Sequence, residues 1–169
     1  MTSAEAALDS GAGAPPGAPV SLSVAADAAD AAARLAAGLK PADPALVLLF
    51  GSPRGTLAPV AEALAAALPG AEIAGCSSAG EIGAAGYQRG TIVAIGFPRA
   101  AFRAEVVALE DQASIPVSAW LARLRRLRAG FPDRAGAQLF GVLLADGMAR
   151  HEDVLVAALD AALPGVPVV

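Results

Sequence analysis

The stretch VLLFGSPRGTLAPVAEALAAALPGAEIA, residues 47–74, decides the fold class because it contains a strand, a loop, a helix and a second strand in succession. The continuous apolar run at 45–50 is typical of a strand buried in a parallel sheet. Apolar residues then recur at helical spacing, and Pro69 and Gly70 end this helix before the strand at 71–76. Units of this kind build parallel sheets through right-handed crossovers. The stretch therefore predicts an α/β fold.

The same pattern recurs 95 positions later, as VLLADGMARHEDVLVAALDAALPGVPVV at residues 142–169. Ten of the 28 aligned pairs are identical, and three of those ten are alanine. Strand, loop length, helix face and the Pro-Gly ending all agree, which chance similarity between alanine-rich helices does not explain. We therefore predict a duplicated strand–loop–helix–strand unit within a mainly parallel or mixed sheet. The second copy stops where its counterpart of GCSSAGE is due, so we expect the domain to be incomplete at its carboxyl end.

The remaining segments extend this pattern and add one β-hairpin. Asp27 is the predicted cap of a helix that ends at Leu39. Strands at 91–97 and 102–110 are predicted to form the hairpin through the connection PRAA. The other predicted elements are a strand at 20–25, a helix introduced by Pro116 with Trp120, Leu121, Leu124 and Leu127 facing inward, a buried strand at 137–145, a helix at 153–163 and a last strand in VPVV. The Gly-, Ala- and Pro-rich residues 1–19 predict a disordered leader before one domain at 20–169.

Composition argues against several classes of function. The net charge is −4 and only 17% of the residues are charged, so the broad positive field of a nucleic-acid-binding protein is missing. The arginine cluster at 123–128 is interpreted as a solvated helix face. A single cysteine excludes an intrachain disulfide framework. With no apolar run of about 18 residues and no secretory signal at the start, we expect a cytoplasmic protein that does not insert into membranes.

Polar residues concentrate in three loops that are predicted to follow strands at one edge of the sheet, at 51–56, 75–83 and 146–152. Ligands gather at this edge of parallel sheets because loops and helix N-termini converge there. The densest of the three is in EIAGCSSAGEIG at 72–83. The candidate ligand-binding residues are Ser52, Gly75, Cys76, Ser77, Ser78, Gly80, Glu81, Asp146 and Gly147.

Several chemistries stay open for these loops. A phosphate cradle would use the glycine-rich backbone, although no Walker A or G-x-G-x-x-G motif is present. A cysteine-dependent enzyme would use Cys76 with the only histidine, His151, from another loop, whereas free cysteines at strand ends are commonly small buried residues. His151 is either a solvated first-turn residue or an axial haem ligand, so the sequence predicts no cofactor other than, in the second case, haem. Glu81 and Asp146 are each suited to hold a ligand's amino group.

Three segments of the chain carry a family resemblance: LVLLFGSPRG, AEIAGCSSAGEIGAAGYQRGTIVAIGF and LLADGMARHEDVLVAALDAALPGVPVV. They resemble the N-terminal domain of the FIST family, over about residues 20–169. The resemblance implies a non-enzymatic sensory domain of bacterial signal transduction that binds a small ligand, with amino acids as suggested ligands. It also implies output partners such as a histidine kinase, a chemoreceptor or a cyclic-dinucleotide enzyme, and some members resemble haem-based nitric oxide sensors. The first loop departs from the family, because Arg54 and Gly55 stand where an aromatic or acidic residue is usual.

Overall fold

A computed structural model describes residues 15–52, 57–83, 86–110, 114–146 and 151–169. The chain divides into two compact units, Met1–Val106 and Val107–Val169, each with a hydrophobic core of its own. Most of the predicted leader, residues 1–14, lies outside the described residues, so its disorder stays a prediction.

The described part of the first unit contains a mixed sheet, a small hairpin and two helices. Its elements are β1 (Val20–Ala25), α1 (Ala31–Leu39), a 3-10 turn (Lys40–Ala42), β2 (Pro44–Gly51), α2 (Leu57–Ala67), β3 (Glu72–Ser77), β4 (Glu81–Gly83), β5 (Gly86–Gln88) and β6 (Thr91–Pro98). Four strands form a sheet in the order β1-β6-β2-β3, and β4 pairs with β5 in a separate two-stranded sheet. β2 and β3 are parallel and are connected through α2, whereas β6 is antiparallel to both of its neighbours. The predicted α/β class with a mixed sheet is confirmed.

One face of the mixed sheet packs against α1 and α2. Val47 and Leu49 of β2 are almost fully buried, and they share a core with Leu35 of α1 and Leu64 of α2. The spacing of two between Val47 and Leu49 places both side chains on the same face of the sheet. Burial of each such aliphatic side chain stabilises the fold by about 1.5–3 kcal/mol. The apolar helix face predicted for α2 is confirmed at Leu64.

Helix α1 begins later than the sequence predicts. The chain first makes a turn in which the N–H of Ala28 donates to the carbonyl of Ala25 at 3.2 Å, and the N–H of Ala31 donates to the carbonyl of Ala28 at 3.0 Å. Asp30, not Asp27, therefore precedes the helix, and its side chain makes no capping hydrogen bond. The predicted cap at Asp27 was wrong because this turn lies between β1 and the helix.

Strand β6 does not form the predicted hairpin with 102–110. The chain turns at its end, where the N–H groups of Ala101 and Phe102 both donate to the carbonyl of Pro98, at 3.0 and 2.9 Å. Residues 102–110, all of them described, then contain no strand. Both edges of β6 already pair, with β1 and β2, so no edge is left for a further strand. The predicted hairpin at this position was wrong, and the hairpin of the fold is β4–β5.

The second unit is built around α3 (Val117–Gly130) and α4 (Glu152–Ala162). Trp120 and Leu124 of α3 share a core with Leu155 and Leu159 of α4. The indole N–H of Trp120 donates to the carbonyl of Glu110 at 2.9 Å, so the buried ring has a partner for its polar group. The inward helix face predicted for Trp120 and Leu124 is confirmed.

The segment at 137–145 is not the buried strand that its apolar residues predict. Within the described residues it pairs through one parallel bridge, between Gly141 and Val168. Leu143 packs against the core of the second unit, but Phe140 is 49% exposed. A continuous apolar run indicates burial on both faces, and here most of the run is exposed. The prediction of a buried strand was therefore wrong.

Helices α2 and α4 start 95 positions apart and also end 95 positions apart, as the repeat predicts. Each helix lies between two segments that pair in parallel: Leu46 is opposite Glu72, and Gly141 is opposite Val168. A shift of 95 positions maps Leu46 onto Gly141, but it maps Glu72 onto the residue before Val168. The second pairing is therefore offset by one residue from the first. The structure thus agrees with a duplicated strand–helix–strand unit.

The two helices also end in the same way. The N–H of Leu68 donates to the carbonyl of Leu64 at 2.8 Å, and the N–H of Leu163 donates to the carbonyl of Leu159 at 2.8 Å. Gly70 and Gly165, each two residues after these leucines, have φ angles of 85° and 73°. Glycine adopts this left-handed conformation without a steric cost, which explains the repeated Pro-Gly ending.

Candidate ligand-binding site

A polar cluster in the first unit lies at the edge where β2 and β3 end. Gly51, the last residue of β2, is opposite Ser77, the last residue of β3. The N–H of Ser78 donates to the carbonyl of Gly51 at 3.1 Å and keeps the chain beyond β3 close to the end of β2. Ser52 follows β2 directly. The edge is therefore formed by the carboxyl ends of parallel strands, where α/β folds bind their ligands.

The carboxylate of Glu81 is the centre of this edge. Glu81 is the first residue of β4 and is 3% exposed. Its Oε2 accepts hydrogen bonds from the hydroxyls of Ser52 at 3.0 Å and Thr91 at 2.8 Å, and its Oε1 accepts one from the hydroxyl of Ser78. Because an ionised carboxylate only accepts hydrogen bonds, all three hydroxyls act as donors. Three separate chain segments thus meet at one carboxylate.

This network keeps Glu81 ionised. Burial by itself raises the pKa of a carboxyl group, since the interior disfavours the charged form. The hydrogen bonds from Ser78, Thr91 and Ser52, together with a backbone hydrogen bond of Thr91, outweigh burial and lower the pKa of Glu81 below its ordinary value of 4.5. Among the residues that the structure describes, no basic side chain forms an ion pair with Glu81. The edge therefore carries a buried negative charge held by neutral donors.

Ser52 connects this network to the turn before β6. Its N–H donates to the carbonyl of Thr91 at 3.2 Å, and its Oγ accepts a hydrogen bond from the N–H of Gly90 at 3.1 Å. Ser52 is 7% exposed, and its hydroxyl is thus used both as a donor and as an acceptor. No buried side-chain polar atom in the described part of the chain lacks a hydrogen-bond partner. The site is therefore ordered by its own contacts before any ligand binds.

Two glycines of the candidate site are required by close packing. A Cβ placed on Gly75 would lie 2.8 Å from the Cβ of Leu49 and would also overlap the Leu49 carbonyl in the neighbouring strand. A Cβ on Gly80 would overlap the ring and hydroxyl of Tyr87. Gly75 therefore permits the pairing of β3 with β2, and Gly80 permits the contact between the loop after β3 and Tyr87.

Tyr87 contacts the loop before Glu81, and Arg89 contacts Tyr87, although the sequence did not single out either residue. The hydroxyl of Tyr87 donates a long hydrogen bond, 3.4 Å, to the carbonyl of Ala79 and accepts one from Nε of Arg89 at 3.0 Å. The guanidinium carbon of Arg89 lies 6.0 Å from the centre of the Tyr87 ring. The aromatic–x–Arg spacing in GYQRG, which covers β5 and the turn after it, is the signal that would have indicated them.

Of the predicted site residues, the structure brings together Ser52, Ser78 and Glu81. Cys76 is the penultimate residue of β3, half-buried and opposite Phe50, which agrees with a small apolar residue at a strand end. Ser77 is exposed at the end of the same strand.

The predicted ligand-binding loop at 146–152 lies in the second compact unit. Asp146 is exposed there, and Gly147 lies outside the described residues. Their contribution to ligand binding stays a prediction from the sequence.

His151 precedes α4, and its side chain is exposed. An axial haem ligand lies in an apolar pocket, and an exposed imidazole at a helix start does not provide one, so the described residues do not fit a haem at this position. No group of three or more His, Cys, Asp or Glu side chains in the described ranges is arranged to hold a metal ion. Among the described helices, none combines the length and the apolar character needed to cross a bilayer.

Comparison with known proteins agrees with this architecture. The family model described as the FIST N domain matches residues 45–169, which include both copies of the duplicated unit and the loop from Ser78 to Glu81. No curated protein and no solved structure matches the chain. FIST domains are small-ligand-binding sensory domains of signalling proteins. Since the family model matches well over half of the residues of the chain, the chain belongs to the FIST family.

Proposed function

We propose that this chain is a sensory domain of bacterial signal transduction that binds an amino acid or a related small molecule at the edge formed by Ser52, Ser78 and Glu81. The observation that carries the proposal is the buried, ionised carboxylate of Glu81 at the carboxyl ends of two parallel strands. Its partners among the described residues are neutral. An ammonium group of a ligand is attracted to such a charge, because electrostatic interactions are stronger where water is excluded.

The arrangement of acceptors favours one side of the carboxylate for this ammonium group. Oε2 of Glu81 already accepts two hydroxyl donors, and the hydroxyl of Ser52 already accepts from a backbone N–H. Oε1 accepts one side-chain donor, Ser78, whose oxygen keeps lone pairs of its own. An ammonium group with three donors therefore finds its acceptors at Oε1 and at the Ser78 hydroxyl.

The proposed role is sensing and not catalysis. The family supports a sensory role, and the output partner in this proposal is a histidine kinase, a chemoreceptor or a cyclic-dinucleotide enzyme in the cytoplasm. Ligand binding at the edge would then change the stability or the contacts of the loops that Glu81 holds together.

Thermal-shift measurements on the full chain with each of the twenty L-amino acids test the proposal, and isothermal titration then gives the Kd of each one that binds. A ligand that binds only the folded state at 100 times its Kd stabilises it by about 2.7 kcal/mol, which raises the Tm. Ser78→Ala is expected to weaken binding while the fold is retained. Glu81→Gln is expected to abolish binding, and Glu72→Gln, which changes an exposed carboxylate on β3, is the matched control.

The proposal is wrong if no amino acid raises the Tm of the parent chain. It is also wrong if Ser78→Ala and Glu81→Gln, shown to be folded by circular dichroism, bind the amino acids as tightly as Glu72→Gln does.

A further inference from the structure

Arg89 differs from two other arginines of the first unit, Arg34 and Arg99, in the group that holds it. Arg34 pairs with Asp30 and Arg99 pairs with Asp43. Arg89 is instead held by a neutral group, the Tyr87 hydroxyl, and within the described ranges no carboxylate pairs with it. Its side chain is exposed. In the described part of the chain, this permanent positive charge therefore has a neutral hydrogen-bond partner and no ion pair.

The hydrogen bond from Arg89 has a consequence for what its guanidinium can bind. Nε donates to Tyr87 at 3.0 Å, so this edge of the planar group is occupied. The opposite edge, formed by the two Nη atoms, has the geometry that binds a carboxylate through two parallel hydrogen bonds. The guanidinium carbon lies 6.0 Å from the centre of the Tyr87 ring, so the hydrogen bond to the phenol hydroxyl is the contact that positions Arg89. A guanidinium positioned before binding loses less entropy when an anion binds.

Tyr87 connects this cation to the loop that carries Glu81. The phenol hydroxyl bonds to the carbonyl of Ala79, and its ring packs on Gly80, the residue before Glu81. A buried negative charge and a fixed positive charge therefore lie on the same short loop and hairpin. A ligand with an ammonium group and a carboxylate group complements both charges.

We propose that Arg89, positioned by Tyr87, binds the anionic group of the ligand and makes the site selective for molecules that carry a free carboxylate. The inference rests on the proposed function, because it assigns a second anchor to the ligand of the same site. Arg89 contacts the ligand in this proposal, whereas Tyr87 acts through Arg89 and is a positioning residue.

Isothermal titration with paired probes tests the inference. Each L-amino acid that binds the parent chain is compared with its own carboxamide, which keeps the amino group and side chain but loses the negative charge. The parent is expected to bind the acid at least about tenfold more tightly than the amide. Arg89→Gln is expected to weaken binding of the acid by about tenfold or more and to leave the amide unchanged. Arg34→Gln is the control on a partly exposed arginine of the same unit.

Tyr87→Phe removes the hydroxyl but keeps the ring. Its preference for the acid over the amide is expected to lie between that of the parent and that of Arg89→Gln. Arg89→Lys keeps the charge without the two-pronged geometry and is expected to retain part of the preference.

The outcomes separate this inference from the proposed function. The inference is wrong if the parent binds amino acids and their amides equally well. It is also wrong if Arg89→Gln weakens binding of the acid and binding of the amide by the same factor, because Arg89 then has only a packing role. If the parent binds no amino acid, the proposed function fails and the inference fails with it.

Discussion

The hydroxyl of Thr91 lies 2.8 Å from Oε2 of Glu81, and this hydrogen bond joins the first residue of β6 to the first residue of β4. Thr91→Val keeps the shape of the side chain and removes the donor. A hydrogen bond to a charged group contributes about 1.5–3 kcal/mol, so the free energy of unfolding is expected to fall by about that amount. Urea denaturation followed by circular dichroism measures the change.

Thr91→Ser is the control for this substitution because it keeps the hydroxyl and removes only a methyl group. If Thr91→Val and Thr91→Ser are equally stable, the hydroxyl of Thr91 does not hold the carboxylate.

The lowered pKa of Glu81 predicts how stability depends on pH. Its pKa is below 4.5 in the folded state and near that value in the unfolded chain, so the unfolded state binds more protons as the pH falls. The stabilisation from Glu81 is therefore complete above the unfolded pKa and is lost as the pH drops through the folded pKa, from about pH 5 downwards. Urea denaturation at several pH values is expected to show a shallower acid dependence for Glu81→Gln than for the parent. Glu72→Gln, which alters an exposed carboxylate, is expected to follow the parent, and equal curves for all three proteins would contradict the prediction.

The strand–helix–strand unit was predictable because each of its signals is local. The apolar run of β2 and the periodicity of α2 require only neighbouring residues, and the Pro-Gly ending recurs 95 positions later with a similar positive φ at the glycine.

The strand that pairs with β6 was not predictable in the same way. The sequence offered 102–110 as a hairpin partner, but β1 and β2 occupy both edges of β6, and the pairing of β6 with β1 joins segments about 70 residues apart, a separation that no local pattern reports.

The candidate site was predictable to a similar extent. Ser78 and Glu81 lie together in one conspicuous segment, and the rule that ligands bind at the carboxyl ends of parallel strands adds Ser52. Thr91 was missed because only the folded chain brings the first residue of β6 to Glu81, and the contact of Arg89 with Tyr87 was missed as well. The sequence indicated that Glu81 is suited to hold a ligand's amino group, but it did not indicate that Oε2 already accepts hydrogen bonds from two hydroxyls.

Gly75→Ala tests the close pairing of β2 and β3. A Cβ at this position meets the Cβ of Leu49 at 2.8 Å, so the strands must move apart, and the free energy of unfolding is expected to fall by about 1–3 kcal/mol. Gly83→Ala in β4 is the matched control, because its Cβ would meet Ser23 at an ordinary 3.5 Å. Chemical denaturation of both variants checks the prediction, and an equal change in the two would show that the position of Gly75 has no special constraint.

Cys76→Ala tests whether the thiol has a role beyond packing. The side chain is half-buried near the end of β3, and we expect the Kd for any amino acid that binds the parent to change by less than about fivefold, since one half-buried contact contributes less than about 1 kcal/mol. Titration calorimetry on the parent and the variant measures this. A loss of binding in a variant that remains folded would assign the thiol to the ligand site.

Leu64 and Leu159 occupy equivalent positions in the two copies of the duplicated unit, each accepting the N–H of the leucine four residues later at 2.8 Å. Leu64 is fully buried and Leu159 is 8% exposed. Replacing either with alanine leaves a cavity, so each substitution is expected to lower the free energy of unfolding of its own unit by about 2–5 kcal/mol. Native-state hydrogen exchange resolves the two units, and amides around Val47 are expected to lose protection in Leu64→Ala, whereas those around Trp120 lose it in Leu159→Ala. Val156→Ala on the exposed side of α4 is the control, and a Leu159→Ala variant no less stable than this control would show that the second copy does not use its helix as the first one does.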